Sequence, residues 1–109
     1  MELLRTATVT GDPSVLKLDG EVDVSTAPLL RSALEDALAA DQRVVVDMAG
    51  VTFFDAAGLR VVLQVAAGLN GAAPLTLLHA ERVERILELV GMTDLSCIEI
   101  RREGAPRGR

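Results

Sequence analysis

The run Arg43-Val44-Val45-Val46-Asp47-Met48 constrains this chain more than any other segment. Three consecutive β-branched residues resist a helix and suit a central strand covered on at least one face. Before it, Leu30, Leu34, Ala37 and Leu38 recur at helical spacing and predict a helix ending near Ala40-Asp41. Ser25 or Thr26 supplies a cap for that helix, and Pro28 is tolerated in its first turn, where backbone N–H groups have no partner anyway. After the run comes Val51-Thr52-Phe53-Phe54, which holds the only two aromatic residues of the chain, and then Asp55-Ala56-Ala57-Gly58-Leu59 opens a second helix. Asp55 is well suited to cap it: its carboxylate accepts from an orphan N–H of the first turn and sits at the positive end of the helix dipole.

The remaining segments complete an α/β pattern. Leu4 to Thr10 alternates, Gly11-Asp12-Pro13-Ser14 is a turn, and Val15 to Leu18 is a second strand, so the two form a hairpin. Gly68 to Pro74 is a loop, and Leu75 to His79 is another strand. Val83, Ile86, Leu87 and Val90 make one face of a third helix stopped by Gly91, and Leu95 to Ile100 is a short edge strand. The order β-β-α-β-α-β-α-β predicts one mixed sheet with a leading antiparallel hairpin, right-handed parallel crossovers and three helices. Residues 1–100 form the domain and 101–109 a flexible basic tail.

With 109 residues the chain holds one core without metal or disulfide support. Tyr and Trp are absent, so that core is built of Val, Leu, Ile and Ala, which favours close layering over a pocket for a flat aromatic ligand. The net charge is −5, and residues 1–100 carry seven basic against fifteen acidic side chains. Such a body excludes nucleic acid as the main partner, since that affinity rests on phosphate neutralisation. The arginines of the tail lack the apolar face of a membrane anchor, and no apolar run is long enough to cross a bilayer. Cys97 is the single cysteine, read as an ordinary small core residue; with no disulfide and no leader, a reducing cytoplasm is the expected compartment. His79 is the only histidine and is read as a strand-end residue. The carboxylates show no metal-ligand spacing and Gly68 to Gly71 lacks the phosphate-loop lysine, so neither catalysis nor a cofactor is expected.

Four segments, in order and at natural spacing, resemble the STAS domain of bacterial anti-sigma factor antagonists. They are Gly20-Glu21-Val22-Asp23 before a capped helix, the Val44 to Asp47 strand, Phe53-Phe54-Asp55-Ala56-Ala57-Gly58-Leu59, and the helix Glu81 to Met92 with its small-residue stop. The resemblance implies a cytoplasmic protein that binds an anti-sigma factor of the histidine-kinase-like ATPase class and so frees a sigma factor; it leaves room for a weak homodimer. In typical members the anti-sigma factor phosphorylates a serine or threonine directly after the capping aspartate. Here that position is Ala56, followed by Ala57, and alanine has no hydroxyl to accept a phosphoryl group. A phosphate would add about −1.5 to −2 charge beside Asp55, whereas alanine leaves a permanently neutral patch.

The resemblance places the partner surface on Glu21, Asp23, Ser25 and Thr26 of the 20–26 loop together with Asp55, Ala56, Ala57, Gly58 and Arg60. Each has a plainer reading beside it. Glu21 and Asp23 meet basic partner residues or sit in a solvated loop, and charge reversal at Asp23 is expected to leave the fold intact. Ser25, Thr26 and Thr52 serve as substitute phosphorylation sites or as turn and cap residues. Asp55 is a structural cap that also lies in the interface. Gly58 costs a helix about 1 kcal/mol relative to Ala, which close approach of a partner backbone would justify. Arg60 is a partner contact or a solvated side chain. The alternative function is a STAS subunit docked on an ABC-type lipid-transport ATPase, where the missing hydroxyl would be unremarkable.

Overall fold

The computed structural model describes residues 3–40, 43–69, 74–92 and 95–101. The elements follow the expected order: β1 (Leu4–Val9), β2 (Ser14–Val22), α1 (Ala27–Ala40), β3 (Val44–Phe54), α2 (Ala56–Ala67), β4 (Leu75–Leu78), α3 (Glu81–Leu89) and β5 (Ile98–Arg101). They build one sheet ordered β1-β2-β3-β4-β5, in which β1 is antiparallel to β2 and every other pair is parallel. The expected tail after Arg101 lies outside the described residues, as do Asp41 and positions 70–73 of the expected loop.

The triple valine shows why the sheet is one-sided. Successive strand residues point to opposite faces, and Val44 and Val46 are buried while Val45 between them is half-buried. The same alternation buries Leu16 and Leu18 on β2, Leu75 and Leu77 on β4, and Ile98 on β5. Against that face lie Leu30, Leu34 and Ala37 of α1, Leu59, Val61, Val62 and Ala66 of α2, and Val83 and Leu87 of α3, all in one cluster. The opposite face, with Lys17, Asp19 and Glu99, is exposed. Cys97 packs, half-buried, at the margin of the core.

Several boundaries differ from the sequence reading. β2 continues through Gly20 to Val22, and β3 continues through Gly50 to Phe54, so Glu21 and the aromatic pair are strand residues and only 23–26 is a connection. Gly20 carries the extension: it has φ +122°, and a Cβ there would lie 2.1 Å from the Leu3 carbonyl oxygen, so only glycine fits the register shift beside it. β5 begins at Ile98 rather than Leu95 and takes in Arg101, which pairs with Leu78. Val90 is not part of the buried face of α3. The helix ends at Leu89, and Val90 is 56% exposed.

Candidate functional site

Parallel pairing of β2 with β3 sets Glu21 beside Phe53 and Val22 beside Phe54. The chain leaves both strands at the same end of the sheet, so α1 and α2 start side by side. The crevice outside the carboxyl ends of parallel strands is where open α/β sheets present their binding surfaces. A groove of about 670 Å³ lies there, walled by Val24, Ala27, Pro28 and Arg31 on one side and by Ala56, Ala57 and Arg60 on the other. The two segments singled out by sequence are thereby brought to one surface.

On the α2 side, Asp55 has extended backbone (φ −129°, ψ −170°) and its Oδ1 accepts from the N–H of Ala57 at 2.9 Å and of Gly58 at 3.4 Å. This is the expected N-cap. Ala56 occupies the first helical position and is exposed, Ala57 is half-buried, and Arg60 is exposed with no hydrogen bond or ion pair among the described residues. Gly58 requires a correction. It is buried, and a Cβ on it would lie 2.5 Å from Val22 Cγ1 and 2.8 Å from Phe54 Cε1. What approaches Gly58 is the end of β2 and β3, not a partner.

On the α1 side the polar groups are turned inward. Asp23 Oδ1 accepts from the Ser25 hydroxyl at 2.6 Å, from the Ser25 N–H at 2.9 Å and from the Thr26 N–H at 3.1 Å. The Ser25 hydroxyl is the main reason the Asp23 carboxyl is held below the usual aspartate range, with the two backbone donors and the Thr26 hydroxyl adding to it against the cost of burial. The Thr26 hydroxyl donates to the Glu21 carbonyl at 2.9 Å and accepts from the Asp23 N–H at 2.9 Å. Thr26 is therefore buried and corrected from surface contact to internal brace. Asp23 is likewise more than a solvated charge, since three donors converge on its Oδ1. Ser25 and Thr52 are exposed, with Thr52 bonded to the Gly20 carbonyl at 3.3 Å. The Glu21 side chain is half-buried and makes no hydrogen bond or ion pair among the described residues.

Sequence reading missed the apolar part of this surface. Val24 is 77% exposed at the groove and Phe53 is 48% exposed at the strand end. Both left a signal: an apolar residue inside a polar turn, and an aromatic pair of which period-2 geometry can bury only one member. Arg31 was missed as well; its guanidinium donates to Gln64 Oε1 on α2 and lies 3.9 Å from Glu35, tying the groove walls together. Elsewhere, His79 follows β4 as a strand-end residue with φ +56° and lines a separate cavity of about 260 Å³ with Met48, Val51 and Arg82. Among the described residues no three His, Cys, Asp or Glu side chains gather to hold a metal ion, and no helix is long and apolar enough to cross a membrane.

The family profile described as "Mlab, STAS domain" matches residues 6–99. The fold is similar to the crystal structure of an anti-sigma factor antagonist from Mycobacterium paratuberculosis, with a TM-score of 0.70 and 26% sequence identity over 88% of this chain and 85% of that one. Among proteins of curated function none matches the chain.

Proposed function

The chain belongs to the STAS domain family, and from that premise we propose that it acts as an anti-sigma factor antagonist. It binds an anti-sigma factor of the histidine-kinase-like ATPase class through the groove between the starts of α1 and α2, releasing a sigma factor. One observation carries the reading: strand pairing gathers Val24, Pro28, Ala56, Ala57 and Arg60 around a single groove, on a fold similar to that of an antagonist. The groove walls are small and apolar, with the unpaired Arg60 among them, so the partner presents apolar side chains and a carboxylate. Because Ala56 offers no hydroxyl, the binding is not switched by phosphorylation at that position.

The same alanine favours a second reading, a STAS subunit docked on an ABC-type lipid-transport ATPase, whose control needs no phosphate there. Titration of the purified chain against the anti-sigma factor and against the transport ATPase from the same cell separates the two, since only the true partner gives saturable binding. With that partner, Ala56→Asp should weaken affinity by a few kcal/mol, on the order of the cost of burying a second carboxylate beside Asp55. An acidic residue in a first helical turn favours the helix, so the fold should persist. In the presence of ATP and the anti-sigma factor, peptides covering 55–59 should gain no phosphate, while Ala56→Ser should gain one. Unchanged affinity of Ala56→Asp would remove α2 from the interface and the proposal with it.

A further inference from the structure

The far end of α3 carries apolar surface that the groove at α1 and α2 does not use. Leu89 is 77% exposed, Val90 56% and Met92 39%, three large apolar side chains within four residues. The helix ends there in a double backbone closure, with the Gly91 N–H donating to the Glu88 carbonyl at 3.2 Å and the Met92 N–H to the Leu87 carbonyl at 2.8 Å. This closure returns Met92 to the level of Leu87. Between them and β5 runs a groove of about 270 Å³ floored by Leu87, Met92, Leu95, Ile98 and Ile100. β5 is the last strand of the sheet, so no further strand flanks the groove. Of the three exposed side chains, Met92 lines this groove, and apolar surface rimmed by polar residues marks an interaction site.

Among the described residues that line the groove, the charged side chains are Glu84 and Glu88. Glu84 and Glu88 line the α3 wall, and their spacing of four places both carboxylates on the same side of the helix. Glu88 makes no hydrogen bond or ion pair among the described residues. The last turn of α3 contains no basic residue, so the negative end of its dipole is also uncompensated.

We propose that this groove docks an amphipathic segment of another protein, with its apolar side chains on the Leu87–Ile98 floor and its lysines or arginines against Glu88 and the α3 terminus. Residues 102–109 of this chain fit less well, because their apolar residues are only Ala105 and Pro106. A second copy joined by a two-fold axis would bring the same acidic lining to both sides of the contact, with no basic lining residue to answer it. An anionic lipid surface would be repelled by the same carboxylates. The surface shares no lining residue with the α1–α2 groove, so its occupation is independent of the function proposed above.

The test uses the full chain, isotope-labelled, titrated with a synthetic peptide of leucine and lysine in helical period and with the same peptide carrying glutamate for lysine. The lysine peptide should shift amide resonances of 84–92 and 95–100 saturably, and the glutamate peptide should not. Met92→Lys should weaken binding roughly tenfold or more, the size expected for an apolar anchor of the groove, and Glu88→Lys should weaken it and flatten its salt dependence. Met92 and Glu88 are exposed, so unchanged melting temperatures serve as the fold control. No binding, equal binding of both peptides, or shifts confined to the α1–α2 groove would overturn the proposal. So would a concentration-dependent dimer in sedimentation that Met92→Lys dissolves, because the occupant would then be a second copy.

Discussion

Two helices start side by side at the groove, each behind an aspartate, and the two aspartates work differently. Asp55 stands directly before Ala56 and caps α2 from the N-cap position, through the N–H groups of Ala57 and Gly58. Asp23 stands four residues before the first residue of α1 and holds together a turn, through Ser25 and Thr26, that then hands over to the helix. At α2 one side chain does the polar work, and the alanines after it stay bare. At α1 a carboxylate and two hydroxyls are bonded to one another, and Val24 and Pro28 stand outward beside the exposed Ser25. Both starts thus arrive at the same kind of surface, small and apolar, by different routes. Most polar residues that mark this region in the sequence hold the surface in place rather than form it.

The largest effect that could break this comparison lies at Gly58. If α2 is seated on the ends of β2 and β3, Gly58→Ala must push a Cβ into Val22 and Phe54, which are buried and cannot swing aside. Overpacking of this kind costs about 1–3 kcal/mol, against about 1 kcal/mol regained by removing glycine from a helix. With both neighbours buried the upper part of that range applies, and a net loss of roughly 1–2 kcal/mol in urea denaturation is expected. A variant as stable as the parent would mean that α2 is free to lift from the strand ends, and the groove between the helices would lose its fixed width.

Asp55→Ala comes next. Loss of an N-cap acceptor costs about 1 kcal/mol, and Asp55→Ser should recover most of it because a hydroxyl also caps. If alanine and serine variants melt together, Asp55 is not the cap, and its carboxylate is free for a partner as Arg60 is. Either result sharpens the contrast with α1, where serine at position 23 cannot receive all three donors that Asp23 Oδ1 receives.

How far the sequence could be read follows from the range of the interaction behind each feature. Asp55 and the start of α2 were legible because a cap and the helical turn it caps are neighbours in the chain. The triple valine revealed β3 and its covered face for the same reason. The ends of β2 and β3 were not legible: the strands were read over Val15 to Leu18 and Arg43 to Met48, yet both run on past Gly20 and Gly50, where the pair shifts register, a fact about the two strands together. Val90 continued the helical period of Val83 and Leu87 and was read as buried, but the closure at Gly91 turns the chain before that position reaches the core. The roles of Thr26 and Gly58 were hidden similarly. A hydroxyl in a turn and a glycine in a first helical turn look exposed until β2 is known to end underneath them. Val24 and Arg31 became part of a site only when parallel pairing placed α1 next to α2.

The smallest expected effect is the one that most directly separates the two aspartates. The Asp23 carboxyl lies below its ordinary range in the folded chain, chiefly because the Ser25 hydroxyl donates to it. A carboxyl with a depressed folded value is protonated more readily in the unfolded chain, so its contribution to stability is fully present above the ordinary aspartate value of about 3.9 and is lost as pH falls through the folded value. Asp23→Asn, which keeps the shape and loses the charge, should therefore be less stable than the parent at neutral pH. The gap should narrow as denaturation is repeated at progressively lower pH below that ordinary value, as the parent carboxyl takes up its proton. Ser25→Ala removes the leading donor and should shrink the same pH-dependent gap without abolishing it, since the Ser25 and Thr26 N–H groups remain. A gap between parent and Asp23→Asn that stays constant with pH would mean that the carboxylate charge is not engaged in the turn. Asp23 would then be returned to the solvent-facing role that the sequence suggested, and α1, unlike α2, would present a free acidic group at the groove.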